Sequence, residues 1–84
     1  MRITVKTAAI ESGPLAAFSG DGGEVEAAEG ATLGEVLVSL GVKGKDRQAY
    51  VSLVNDAVVA ENMRSRHRLE ENDAITVFPP LKGG

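Results

Sequence analysis

The feature of the sequence that most restricts its fold is one short amphipathic helix among segments that favour strands. Thr32 and Glu35 have the spacing of a capping box, in which a hydroxyl and a carboxylate each bind a backbone N–H group at the helix start. Gly41 stands where a left-handed cap would end the helix. Four apolar residues fall at i, i+3, i+4 and i+7 on one face: Leu33, Val36, Leu37 and Leu40. One helix with one apolar face predicts one sheet packed against it.

Strands on both sides of the helix are indicated by alternating or β-branched apolar residues. In chain order we expect them at residues 2–8, 24–27, 50–54, 58–59 and 74–78. Asn55 and Asp56 predict a tight turn between the third and fourth strands. Pro14 can open a single helical turn at residues 15–18, and Leu69 is expected to anchor the polar segment before it in the core.

The order of these elements predicts an α+β fold of the β-grasp type. A mixed sheet of four to five strands would carry the one main helix across one face, with the first and last strands parallel at its centre. No internal repeat and no long linker divides the chain, so we expect a single domain over residues 1–84. Residues 79–84 would form a projecting flexible tail, because Pro79 and Pro80 cannot continue a strand.

Composition and charge exclude several classes of function. The formal net charge of −3 argues against a sequence-independent nucleic-acid binder. There is no cysteine, and the single histidine, His67, has no second ligand at metal spacing, so we expect neither a thiolate nucleophile nor a metal site. No apolar run is long enough to span a bilayer, and the sequence opens in a strand without a signal peptide. We therefore expect a cytoplasmic protein without a membrane partner.

The end of the chain carries the clearest sign of chemistry. The last strand runs into Phe78-Pro79-Pro80-Leu81-Lys82-Gly83-Gly84. Because the last two residues have no Cβ, they can enter a slot too narrow for a side chain and present a free α-carboxylate there. A terminal pair of glycines alone is a weak signal, but a strand, Phe-Pro-Pro, a short spacer and Gly-Gly form a specific one.

This ending, together with the β-grasp order and the turns at residues 54–56 and 69–73, resembles the ubiquitin-like sulfur carriers. These include the small subunit of molybdopterin synthase and the thiamine-pathway sulfur carrier. The length of 84 residues and the extra segment between the first two strands are more similar to the molybdopterin-synthase subunit.

The resemblance implies that the carboxylate of Gly84 is adenylated and converted to a thiocarboxylate that donates sulfur for molybdopterin synthesis. Three residues would thread into the active site of a partner: Leu81, Lys82 and Gly83. Four residues would form the partner interface: Val58, Phe78, Pro79 and Pro80. Lys82 departs from the small residue expected before Gly-Gly, which puts fine partner specificity in question.

The resemblance also implies which partners supply the catalytic groups. Gly20-Asp21-Gly22-Gly23 lacks the Lys-Ser/Thr of a phosphate-binding loop, so the chain is expected to bind no cofactor and not to be an enzyme. An E1-like adenylating enzyme would bind ATP and Mg²⁺. A persulfide-bearing protein would donate sulfur, and a larger catalytic subunit of the molybdopterin-synthase type would receive it.

Several alternatives remain open at this point. The acceptor could be thiamine or another metabolite, or Gly84 could form isopeptide bonds as a protein modifier, or the domain could be a plain interaction module. Phe78 could lie in the core or at an interface. Four basic or titratable residues form a cluster that we interpret as a solvated loop face in preference to a docking patch: Arg64, Arg66, His67 and Arg68.

Overall fold

The computed structural model describes residues 1–10, 13–42 and 50–79, and these form one five-stranded sheet with one α-helix. The strands are β1 (Arg2–Thr7), β2 (Gly23–Glu26), β3 (Val51–Val54), β4 (Ala57–Val59) and β5 (Ala74–Phe78), and the helix is α1 (Leu33–Ser39). Their order across the sheet is β2-β1-β5-β3-β4. Only β1 and β5 run parallel, and they lie at the centre, which confirms the predicted β-grasp topology.

The core lies between α1 and one face of the sheet. Every second residue of the central strands points into it, and Ile3, Val5, Ile75 and Val77 are completely buried there. The predicted apolar stripe of α1 faces them, with three buried members and Leu40 packed at the edge of the core. Apolar residues that recur at every second position in the strands therefore pack in one layer against those that recur about every 3.6 positions in the helix.

The capping box fixes where α1 begins. The Thr32 hydroxyl accepts the Glu35 backbone N–H at 3.2 Å, and the Glu35 carboxylate accepts the Thr32 N–H at 3.1 Å. After the helix ends, Gly41 has a φ of 93°. Only a residue without a Cβ adopts this conformation at little cost, so the predicted start and end of the helix are both confirmed.

The turns agree with the residues predicted to form them. Asn55 and Asp56 have φ values of 50° and 70°, as a two-residue hairpin turn between β3 and β4 requires. The Asn55 side chain donates to Asp73 at 2.9 Å and accepts the Ala74 N–H at 3.0 Å, which ties this turn to the start of β5. A 3₁₀ helix at Pro14–Phe18 matches the predicted helical turn, and Leu69 is buried as expected.

The interpretation of the basic cluster as a solvated face is wrong for Arg64, whereas Arg66 and Arg68 are exposed as expected. Arg64 is only 5% exposed, and its guanidinium donates to the carbonyl of Tyr50 while its own carbonyl accepts the Gly34 N–H at 2.9 Å. Arg68 donates to the carbonyl of Gly30 at 2.8 Å. Arg64 can be buried because the carbonyl of Tyr50, distant in sequence, accepts a hydrogen bond from its guanidinium. The residues from Val42 to Arg47 also predict a polar loop, and residues 43–49 lie outside the described residues.

Candidate functional site

The face of the sheet that is turned away from α1 is divided into two halves. One half, which we call the apolar half-face, consists of outward residues of β5, β3 and β4: Phe78, Val51, Leu53 and Val58. The other, the polar half-face, consists of outward residues of β1 and β2: Arg2, Thr4, Lys6, Glu24 and Glu26. Because β5 lies between β1 and β3, the boundary between the halves runs along β5. Its outward Thr76 is paired with Leu53 on one side and with Lys6 on the other.

The strand registers bring the apolar half-face together. Phe78 is paired with Val51, and Val58 with Leu53 on the neighbouring strand. The side chains of Phe78 and Val58 are unusually open for their size, with 39% and 68% of their surface exposed. Phe78 therefore lies on the solvent side of β5 instead of in the core, because Ile75 and Val77 occupy the inward positions of the alternation.

Two members of this surface, Val51 and Leu53, were not singled out from the sequence. Both are half-buried residues of β3, and the sequence around each indicates only a strand. Their significance comes from the register that places them beside Phe78 and Val58. The signal in the sequence was the alternation of β3, which puts Ser52 and Val54 inward and these two residues outward.

The polar half-face carries ion pairs whose carboxylates are exposed. Arg2 Nε lies 3.4 Å from a carboxylate oxygen of Glu24 on the adjacent strand. The N-terminal ammonium lies 3.8 Å from a carboxylate oxygen of Glu26 and donates to the Ala27 carbonyl at 2.7 Å. The polar half-face therefore exposes mainly charged side chains, whereas the apolar half-face exposes apolar ones.

The described part of the chain ends at the corner of the apolar half-face. Phe78 is the last residue of β5, and the half-buried Pro79 follows it. Five predicted site residues lie outside the described residues: Pro80, Leu81, Lys82, Gly83 and Gly84. Fully extended, five residues span about 16–18 Å. A protein group that reacts with the Gly84 carboxylate must therefore come within this distance of Pro79.

The helix start, a common phosphate site in other folds, is already occupied by protein acceptors. The N–H groups of Leu33 and Gly34 donate to the carbonyls of His67 and Arg64 at 2.8 and 2.9 Å, and the Glu35 N–H donates to Thr32. These first N–H groups of α1 therefore offer nothing to a nucleotide phosphate.

The described stretches of the chain contain an open groove but no cluster of metal-binding side chains. Within residues 1–10, 13–42 and 50–79, no three acidic or histidine side chains lie together as a metal cluster would require. An open groove between α1 and the segment after β4 is lined by Glu35, Val38, Glu61 and Arg64, on the helix side of the sheet. No helix in the described part of the chain is long and apolar enough to cross a membrane.

Comparison with known proteins agrees with this architecture. The crystal structure of SAMP1 from Haloferax volcanii matches with a TM-score of 0.72 over 100% of both chains, at 23% sequence identity, which establishes the β-grasp fold. No curated protein matches the sequence. The family model of the ThiS family matches residues 12–84, a span that includes α1, four of the five strands and the Gly-Gly ending. The chain therefore belongs to the ThiS family of ubiquitin-like sulfur carriers.

Proposed function

We propose that this protein carries sulfur as a thiocarboxylate on Gly84 and donates it for molybdopterin synthesis, as the small subunit of a molybdopterin synthase. The carrier role is supported by the family match, which extends through the terminal Gly-Gly. The molybdopterin assignment rests on the length of 84 residues and the segment between β1 and β2. The apolar half-face supports it, because this surface borders the strand from which the tail leaves. A partner that covers Phe78 and Val58 can receive the tail at the same time.

The chemistry begins with the carboxylate of Gly84, which is a poor electrophile because its charge repels nucleophiles. Attack of this carboxylate on the α-phosphate of ATP forms an acyl-adenylate and releases pyrophosphate. The terminal sulfur of a protein persulfide then attacks the carbonyl carbon, expels AMP and forms an acyl disulfide. A thiol then attacks the other sulfur of that disulfide, which belongs to the donor protein. A new disulfide forms on the donor protein, and the thiocarboxylate of Gly84 is released.

Each part of the tail has a physical role in this scheme. Gly83 and Gly84 pass through a slot in the partner that would exclude any side chain. Leu81 and Lys82 form an extended spacer whose backbone groups can pair with the partner. Pro79 and Pro80 restrict the unbound chain, so less conformational entropy is lost when the tail is ordered.

The proposal assigns the catalytic groups to partners. An E1-like adenylating enzyme binds ATP and Mg²⁺, a persulfide-bearing protein supplies sulfur, and a larger synthase subunit transfers sulfur to the pterin precursor. The protein itself acts as carrier and co-substrate, in the cytoplasm. The first N–H groups of α1 donate to protein acceptors, so this helix start is not open to a phosphate.

The test is the intact mass of the protein after incubation with ATP, a persulfide donor and an adenylating enzyme from the same cell. We expect a gain equal to the replacement of one oxygen by sulfur, and no gain after deletion of Gly84. Addition of the larger subunit and the pterin precursor should then return the mass to its starting value. A thiocarboxylate that forms but is not consumed by that subunit would refute the molybdopterin assignment.

The apolar half-face is tested in the same assay. Phe78→Ser should slow thiocarboxylation, because it removes an exposed ring from the proposed contact. Lys6→Ser is the matched control, since Lys6 is exposed on the polar half of the same sheet face. Equal rates for the two variants would show that the partner does not use the apolar half-face.

A carrier for thiamine or another metabolite is the second candidate, because the family match applies equally to carriers of either pathway. Both use the same thiocarboxylate, so only the acceptor separates them. Covalent adducts with lysines of other proteins in place of the mass gain would instead identify a protein modifier. If neither product forms, and function survives deletion of Gly83 and Gly84, the domain is an interaction module.

A further inference from the structure

The two edge strands of the sheet, β2 and β4, are built differently. In an antiparallel pair, alternate residues direct their backbone N–H and C=O groups toward the neighbouring strand and away from it. The residues that direct these groups away from the sheet decide whether another strand can add there. On β2 and β4 these residues can be identified from the hydrogen bonds.

On β4, the outward-directed residue is Val58. The Asn55 N–H donates to the carbonyl of Ala74 at 2.8 Å, so the odd-numbered positions of β3 bond to β5 and the even-numbered ones to β4. In the register of the hairpin, Val54 and Ser52 pair with Ala57 and Val59. Val58 therefore directs its N–H and C=O groups away from the sheet, and its side chain is 68% exposed on the apolar half-face.

On β2, the outward-directed residues are glutamates. Ala27 and Met1 exchange backbone hydrogen bonds at 2.8 and 2.7 Å. Because bonded pairs alternate along an antiparallel ladder, Val25 and Gly23 also direct their backbone groups toward β1. Glu24 and Glu26 then direct their backbone groups outward and carry a charge at each such position. Charged residues on an edge strand oppose the addition of a further strand, and β4 has no charged residue in its three positions.

We propose that β4 is a docking edge for an extended partner segment with an apolar centre and basic residues on both sides of it. The central residue of that segment exchanges two backbone hydrogen bonds with Val58 and lays its side chain on the apolar half-face. Asp56 and Glu61 lie just before and just after the strand and are both exposed. Within the described residues neither carboxylate has an ion-pair partner, so both favour a basic flank.

The same charges disfavour a second copy of this chain as the occupant. Two β4 strands paired antiparallel about Val58 would place Asp56 of one copy beside the stretch from Ala60 to Glu61 of the other. Like charges would then meet at both ends of the pair, and such juxtapositions are destabilising. The surface therefore fits a different, basic chain better than itself.

The experiment is an NMR titration of the full chain, labelled with nitrogen-15, with the blocked peptide Arg-Thr-Val-Thr-Arg. We expect the largest amide shifts at Val58 and its neighbours, and slower exchange of the Val58 N–H with solvent. The same peptide N-methylated at its central valine loses one of the two hydrogen bonds and should bind about tenfold more weakly. Glu-Thr-Val-Thr-Glu should show no binding.

Variants of the protein test the same β4 edge with the peptide left unchanged. Val58→Pro removes the outward N–H without breaking a bond to β3, and proline is tolerated at such edge positions, so it should weaken peptide binding about tenfold. Val58→Thr keeps the donor and strand preference but places a hydroxyl on the apolar half-face, so it should bind less tightly than the unmodified protein and more tightly than Val58→Pro. Asp56→Asn and Glu61→Gln should each weaken binding and reduce its dependence on salt.

Several results would overturn the proposal. They are shifts centred on β2 or on the polar half-face, equal binding of the N-methylated peptide, and concentration-dependent dimers that Val58→Pro abolishes. The N-methylated peptide keeps the test valid if Val58→Pro fails to fold. The proposal does not rest on the chemistry of Gly84, and peptide binding at β4 is measured independently of thiocarboxylation.

Discussion

Replacement of Ser52 by alanine should make this protein more stable, although Ser52 is completely buried in the core. Its register partners on the two adjacent strands are Val59 and Val77, and no donor or acceptor in the described residues bonds to its hydroxyl. Burial of a hydroxyl without a partner costs about 1–3 kcal/mol. Alanine gives up a few tenths of a kcal/mol in packing and strand preference.

The net gain in the free energy of unfolding is therefore about 1 kcal/mol, which corresponds to a rise of about 5 °C in Tm for a domain of this size. Urea denaturation and a thermal scan both measure it. The matched control is Thr7→Val, because the buried Thr7 hydroxyl donates to the Leu15 carbonyl at 3.0 Å. Loss of that donor should cost about 1–2 kcal/mol. A Ser52→Ala variant that is destabilised like the control would refute the reasoning.

Three further changes follow from contacts described above, each measured by urea denaturation. Thr32→Ala should lower the free energy of unfolding by about 1 kcal/mol through loss of the capping box, whereas Thr32→Ser should keep most of it. Arg64→Met should lower the free energy of unfolding by about 2 kcal/mol, because the charged donor to the Tyr50 carbonyl is lost while an aliphatic side chain remains. An unchanged free energy of unfolding would mean that this hydrogen bond contributes nothing. Asp56→Gly should raise the free energy of unfolding by about 0.5–1 kcal/mol, since the φ of 70° at Asp56 strains any residue with a Cβ. A decrease in the free energy of unfolding would argue against that strain.

The parts of the fold that depend on local signals could be predicted from the sequence. The capping box, the apolar stripe of α1 and the turn at Asn55 and Asp56 each depend on residues that lie close together along the chain. The parallel pairing of β1 with β5 is not local, but few topologies bury one helix face with these strands in this order.

Features that depend on distant partners could not be predicted. The burial of Arg64 follows from the position of the Tyr50 carbonyl, which no pattern around Arg64 indicates. The apolar half-face depends on the registers that place Val51 and Leu53 beside Phe78 and Val58. The role of Gly84 is a matter of chemistry with a partner, so it stays a prediction until that chemistry is measured.

The position of β5 also decides how the domain responds when its tail is pulled. Tension applied to the tail acts along the axis of β5, and the hydrogen bonds to β1 and β3 lie across that axis on both sides. These bonds share the load in shear, whereas a strand pulled away from a sheet edge would separate one bond at a time. The domain should therefore stay folded while its C-terminal end is held under tension.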